Sequence, residues 1–297
     1  METTAALRIW RRTEAYNTKV QFTTFLSDGD SKACAAVSKA EVYGSTAVTK
    51  EDCTNHVAKR LGTALRKLKT PLPRGKKLGD KTIQQLQRYY QITITSNRGS
   101  VRGMYCAIWA SYFHSCSTDG ARSSHKFCPD GEESWCKHKR ALALQAPAPA
   151  HTLLLTKAQG KAVLPIYKRL TDIKLLARCL QGKTQNAAES LNSKIWMLYP
   201  KTRFVARTAV ETATTIAVLW FNRGHSSFEQ VLEELGVLPS KQLVHLSGAA
   251  DQKRITSMSA KLTAEARSHR RRQVKRARAE DSNRKDREGS TYAAGEF

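Results

Sequence analysis

Residues 20–30 read V-Q-F-T-T-F-L-S-D-G-D, a β-rich run that stops abruptly at Asp28 and Asp30. Val, Phe and Thr favour extended backbone, and D-G is strand-ending chemistry. What flanks this run sets the fold class. Residues 2–16 predict a helix with an apolar stripe at Ala5, Leu7, Ile9 and Trp10, and Ser31 to Ala40 predicts a second helix. A-E-V-Y-G-S-T-A-V at 40–48 predicts a short strand. Thr49, with Asp52 three residues on, is expected to open a helix running from Cys53 to Lys69. Helix, strand, helix, strand, helix is the pattern of the latter half of an α/β sandwich.

Beyond this segment the chain turns helical. Leu78 to about Gly182 is mainly helix, clearest at Ile83 to Tyr90 and Val101 to Phe113, with an irregular Cys/His-rich loop at 114–138 and an A-P-A-P-A linker at 146–150. Thr184 to Leu198 and Val205 to Asn222 are further helices, separated by Y-P-K-T-R. The expected class is therefore α/β but mostly helical.

The charge is the unusual bulk property. Among 297 residues, 50 Lys and Arg stand against 25 Asp and Glu, a net charge of +25, which points to a polyanionic partner such as nucleic acid. The longest apolar stretch, Thr214 to Phe221, is far short of the roughly 18–20 residues a membrane span needs, and the first residues carry no apolar signal region. The excess is concentrated: residues 57–90 hold ten basic groups and one acid, Asp80. Lys59, Arg60, Arg66, Lys67 and Lys69 belong to one expected helix, and Lys76 and Lys77 follow in P-L-P-R-G-K-K at 71–77. Spacings such as Lys59–Arg66–Lys67 suit phosphate contact along one helical face, although the same pattern also describes a solvated face. The tail carries a second cluster around Arg270, Arg271 and Arg272, in a region with few large apolar residues, and reads as a frayed helix or basic arm.

In so basic a chain, isolated acids need a reason. A carboxylate at the C-terminal end of a strand is where α/β folds place metal and catalytic groups, though Asp28 and Asp30 are also ordinary turn and cap residues. Glu189, in T-Q-N-A-A-E-S-L-N, is the sole acid between Asp172 and Glu211. Cys53-x-x-His56 is a short pair that by itself reads equally as buried packing.

Taken in order, S-D-G-D-S-K at 27–32, D-C-T-N-H-V-A-K-R at 52–60 and T-Q-N-A-A-E-S-L-N-S-K-I-W at 184–196 resemble the Mutator-like transposases, over roughly residues 1–235. The resemblance implies a ribonuclease-H-like enzyme that holds two divalent ions, usually Mg²⁺ and otherwise Mn²⁺, between three carboxylates and cuts and joins DNA at transposon ends in the nucleus. By that resemblance Asp28 is the family's second catalytic Asp, with Asp30 as the alternative, and Glu189 is the final Glu. Cys53, His56 and Asn186 would support the centre, Asn192 lies one or two turns further on, and a homo-oligomer is left open. The family's first Asp has no counterpart, since no Asp occurs among residues 1–27. The expectation is a fragment of the fold, with three preceding strands missing, that does not cleave DNA alone and is poorly soluble. The domain reading is a partial ribonuclease-H-like core at 1–70, a helical insertion at 71–182, core-completing helices with Glu189 at 183–238, and a basic helical or disordered C-terminal tail at 239–297. The rival reading is a non-catalytic, zinc-containing DNA-binding protein.

The Cys/His loop supports a metal independently. His125-x-x-Cys128 and Cys136-x-His138 flank a P-D-G-containing turn, a ligand set that could close on Zn²⁺. His125, Cys128 and Cys136 are the firmer ligands, with His138, His114 or Cys116 as the fourth. H-x-x-C-P-x-G-x-x-S-W-C is similar to a pattern of the same transposase branch. The alternative is a loop whose Cys and Trp135 simply pack into the core.

Overall fold

The computed structural model describes residues 2–15, 20–28, 32–69, 77–117, 125–148, 150–151 and 153–261, with single residues at 263, 265 and 273. It divides into two compact units, Met1–Ala187 and Ala188–Phe297. Asp30, Lys76, Arg270, Arg271 and Arg272 lie outside the described residues.

The first unit begins with α1 (Glu2–Trp10) and α2 (Arg12–Ala15), then β1 (Thr24–Ser27), α3 (Lys32–Lys39), β2 (Thr49–Asp52) and α4 (Thr54–Lys69). The strands are parallel, with Thr24 opposite Thr49 and Ser27 opposite Asp52. Among the described residues this is the whole sheet. Ala6, Ala33 and Val37 form a small core with Leu7, Trp10, Phe25 and Val48. Trp10 stacks on Phe25 with ring centroids 4.8 Å apart, and its indole N–H donates to the Phe22 carbonyl at 2.8 Å.

Two local expectations are corrected. Residues 40–46 form a turn, with Glu41 at φ 42° and Gly44 at φ 59°, in place of the strand expected at 40–48. The strand is the polar T-K-E-D at 49–52, so Thr49 does not cap a helix and α4 starts at Thr54. Pairing decided this: the Thr49 N–H donates to the Thr23 carbonyl and the Cys53 N–H to the Ser27 carbonyl. A ladder thus overrides a weak local preference.

The rest of the unit is helical, through α5 (Asp80–Thr95), α6 (Val101–Ser115), a 3₁₀ turn at His125–Phe127, α7 (Lys137–Ala143), α8 (Lys157–Leu170) and α9 (Ile173–Ala177). Val57, Leu61 and Leu65 of α4, Ile83, Leu86, Tyr90 and Ile94 of α5, and Met104, Ile108 and Tyr112 of α6 recur at helical spacing. All ten are buried in one core with Val163, Tyr167 and Leu170 of α8. Buried hydroxyls tie the helices together: Tyr90 donates to the Leu170 carbonyl at 2.7 Å and Tyr112 to the Gly160 carbonyl at 3.0 Å. Burial pushes the Tyr90 hydroxyl pKa far above its ordinary value.

Near the end of this unit the chain returns to the sheet. Asp52 N–H donates to the Arg178 carbonyl at 2.9 Å and Thr54 N–H to the Lys183 carbonyl at 3.1 Å, while the Gln185 side chain reaches the Leu26 carbonyl at 3.4 Å. α10 (Asn186–Leu198) opens here.

The second unit holds α11 (Arg207–Arg223), α12 (Ser227–Glu234) and α13 (Lys241–Lys261). Asp251 of α13 binds the turn before α12, accepting from His225 N–H at 2.8 Å and Ser226 N–H at 3.0 Å. Arg254 donates to the Trp220 and Phe221 carbonyls at the C-terminal end of α11, where a cation complements the helix dipole. No helix among the described residues is long and apolar enough to cross a membrane.

Candidate functional site

Asp28 follows β1 directly, and its carboxylate stands 3.8 Å from His56 Nδ1. Both residues line a cleft of ≈ 870 Å³ bounded by α4 and by the stretch from the end of α8 through α9. The other charged side chains in the lining are Lys59, Arg60, Lys67, Lys168, Arg169, Asp172 and Arg178. Six Lys and Arg therefore face two carboxylates. Arg60 donates to the Asp28 carbonyl and approaches Asp52 Oδ2 at 3.7 Å. Arg178 Nε donates to the same oxygen at 3.2 Å.

Cys53 and His56 have different surroundings. Cys53 precedes α4 and is buried, its Sγ accepting the Gln185 N–H at 3.4 Å, whereas His56 opens into the cleft. Asn186 accepts from Asn55 at 2.8 Å, and Asn55 in turn accepts from Gln91 at 2.9 Å, so an amide chain links the T-Q-N segment to α4 and α5. Of the remaining basic residues, Arg66 is exposed on α4 outside the cleft lining, Lys69 ends α4, and Lys77 is exposed with its carbonyl accepting from Gln159 at 3.1 Å. Glu189 is exposed in the first turn of α10 and belongs to the second unit.

Divalent-metal chemistry of the three-carboxylate kind needs a second and third acid beside Asp28. Among the described residues, the sole gathering of three or more potential ligands is the His/Cys cluster below. The acids of the first unit do not by themselves fit a pair of Mg²⁺ ions: Asp28 stands next to His56, and Asp52 is engaged by two arginines.

That cluster is made of His114, His125, Cys128 and Cys136, all buried, with donor atoms within 4.8 Å of one another. His114 comes from the last turn of α6, His125 opens the 3₁₀ turn, Cys128 follows it, and Cys136 precedes α7. His114 Nδ1 lies 3.5 Å from Cys128 Sγ and 3.9 Å from Cys136 Sγ, and His125 Nδ1 lies 3.4 Å from Cys136 Sγ. Tetrahedral Zn²⁺ with ordinary bond lengths places S and N ligands about 3.6 Å apart. Cys128 and Cys136 both approach His114 Nδ1, and Cys136 also lies against His125 Nδ1, a convergence of thiol and imidazole donors that suits Zn²⁺. The hydrogen bond between Cys128 and Cys136 pulls the Cys136 thiol pKa below its ordinary value and pushes that of the Cys128 thiol above its own, with burial opposing ionisation at both and His114 favouring the Cys136 thiolate.

The buried group takes in His114 and leaves out His138, the fourth residue of the Cys/His pairs. His138 lies flat against His125, rings 4.4 Å apart and 6° from parallel. Cys116 is also outside the group; it packs beside Gly160, and burial raises its pKa. Around the cluster, Trp135 packs on Tyr89 and His114, and His151 donates to the His114 carbonyl at 2.9 Å, tying in the chain after the Ala-Pro linker.

Sequence reasoning missed Asp52, Lys168, Arg169 and Arg178. More than a hundred residues separate α4 from α9, and no local pattern marks them as one surface.

No curated protein and no solved structure matches the chain. Residues 1–136 match the family model described as Mutator-like transposase, so the resemblance covers β1, the α4 wall of the cleft and all four donors of the His/Cys cluster, ending at Cys136 itself.

Proposed function

We propose that the chain is a DNA-binding part of a DNA transposase and acts in the nucleus on transposon ends. One observation carries this: a strand-end carboxylate, Asp28, in a cleft lined by six Lys and Arg. In this reading the parallel β1–β2 pair with α3 and α4 is part of a ribonuclease-H-like core at 1–70, followed by the insertion at 71–182, the Glu189-bearing helices at 183–238 and the basic arm at 239–297. Asp28 and Glu189 serve as two of the three catalytic carboxylates, with Asp30 the alternative to Asp28. Cys53 and Asn186 hold the T-Q-N segment against the core. The basic residues of α4 and the arm around Arg270 grip phosphates.

Residues 1–27 supply no first Asp, and the chain alone binds DNA without cutting it. Purified protein incubated with terminal-repeat DNA and Mg²⁺ or Mn²⁺ tests both halves. Retention of duplex at about 0.1 M salt, with affinity falling as salt rises, is expected. Metal-dependent nicking lost in Asp28→Ala would overturn the inactive assignment, and absence of binding would overturn the DNA assignment.

The His/Cys cluster favours a second element, shared with the non-catalytic reading: a structural Zn²⁺ held by His114, His125, Cys128 and Cys136. Metal analysis of untagged protein should find one zinc per chain. A chain folded without zinc would remove it.

A further inference from the structure

We propose that Asp52, Arg60 and Arg178 form a phosphate clamp, in which the buried carboxylate positions two guanidinium groups to receive the backbone of a DNA strand lying in the cleft. The proposal rests on the DNA-binding reading above and names the groups that carry it.

Asp52 ends β2 with its side chain 1% exposed. Its Oδ2 takes both arginines, Arg178 Nε at 3.2 Å and Arg60 Nη1 at 3.7 Å, and among the described residues its Oδ1 has no hydrogen-bond partner. Each guanidinium is fixed at a second point. Arg178 Nη1 donates to the Lys174 carbonyl at 3.1 Å, and Arg60 Nη2 donates to the Asp28 carbonyl. The backbone adds the bond from Asp52 N–H to the Arg178 carbonyl. Both arginines are nonetheless about a third exposed, at 35% and 36%, and both line the cleft.

A buried carboxylate is an expensive way to stabilise a fold, because an apolar residue of similar volume often does as well. It is an effective way to aim arginines. A guanidinium has five N–H donors in a planar fork, so with two nitrogens of each anchored, N–H groups such as those on Arg178 Nη2 and Arg60 Nε are still held in fixed positions to meet phosphodiester oxygens. The cleft beyond them is lined by Lys59, Lys67, Lys168 and Arg169, cations that repel one another until a polyanion enters.

The test is binding of a fluorescent 20-base-pair duplex to the full chain over a salt series, with Lys161→Gln as the charge-matched control. Lys161 is exposed on α8 and outside the cleft lining. Arg60→Gln and Arg178→Gln should each weaken binding about tenfold more than the control and lower the log–log salt slope by about 1. Asp52→Asn is the discriminating variant. It adds one positive charge, so simple electrostatics predicts tighter binding, whereas a positioning role predicts weaker binding. Arginine variants indistinguishable from Lys161→Gln, or tighter binding by Asp52→Asn, overturn the clamp while leaving DNA binding intact. Should Asp52→Asn prove unfolded by circular dichroism, the two arginine variants decide. Absence of binding by the unsubstituted chain overturns the DNA reading and the clamp together.

Discussion

His138 lies ring to ring on His125, 4.4 Å away and 6° from parallel, close to the donor cluster without joining it. The two histidines that compete for the fourth ligand place are thereby separated. His114→Ala should release the zinc, and His138→Ala should retain it. Zinc content by mass spectrometry, read beside the thermal transition, checks this; loss of metal from His138→Ala alone would reverse the assignment. Chelator should lower the transition of the unsubstituted chain and leave that of His114→Ala unmoved.

Gly224 ends α11 at φ 93°, and a Cβ there would run into the Asp251 carboxylate. Gly224→Ala should cost about 1–3 kcal/mol, combining strain at positive φ with displacement of Asp251. Denaturant unfolding measures it, and an unchanged midpoint would refute the steric argument.

Asp251 also predicts a pH dependence. Burial opposes ionisation, but the N–H groups of Ser226 and His225, the Ser226 hydroxyl and Arg254 outweigh it, so the folded carboxyl titrates below its ordinary 3.8. A depressed folded pKa contributes stability that is complete above the unfolded value and fades as pH falls through the folded one. Asp251→Asn should therefore be less stable than the parent at pH 7, with the gap closing below about pH 4. A gap that widened on acidification would contradict the sign.

Tyr90→Phe removes a buried donor from the Leu170 carbonyl and joins no new partner to it. The expected loss is about 1–3 kcal/mol, because the carbonyl is left unsatisfied inside the core. Leu61→Ala in the same core should cost about 2–5 kcal/mol through the cavity it opens. Equilibrium denaturation resolves both.

The helices were legible because their apolar residues repeat at helical spacing, as Ile83, Leu86, Tyr90 and Ile94 do in α5. The second strand was not. Thr49–Asp52 is polar, and its extended state comes from the ladder to β1 and from Arg178, arriving from 126 residues away to meet Asp52. The misread turn has the same origin: Val42 and Tyr43 favour strand, but Tyr43 donates its hydroxyl to the Trp10 carbonyl at 2.9 Å, fixing a bend against α1. The Cys/His pairs were visible as spacing, whereas His114 enters through the end of α6, eleven residues before His125. Cation pairing across the cleft left no local trace at all.

The bond between Asp52 and Arg178 also sets an order of assembly. During synthesis at about 5–20 residues per second, some 6–25 s pass between the emergence of the two partners. Through that interval β2 carries a carboxylate destined for the interior with half of its counter-charge still unmade. Settling of β2 is in this way coupled to the helices that follow it, and a nascent chain stalled before residue 178 is expected to be more protease-sensitive than one extended past it.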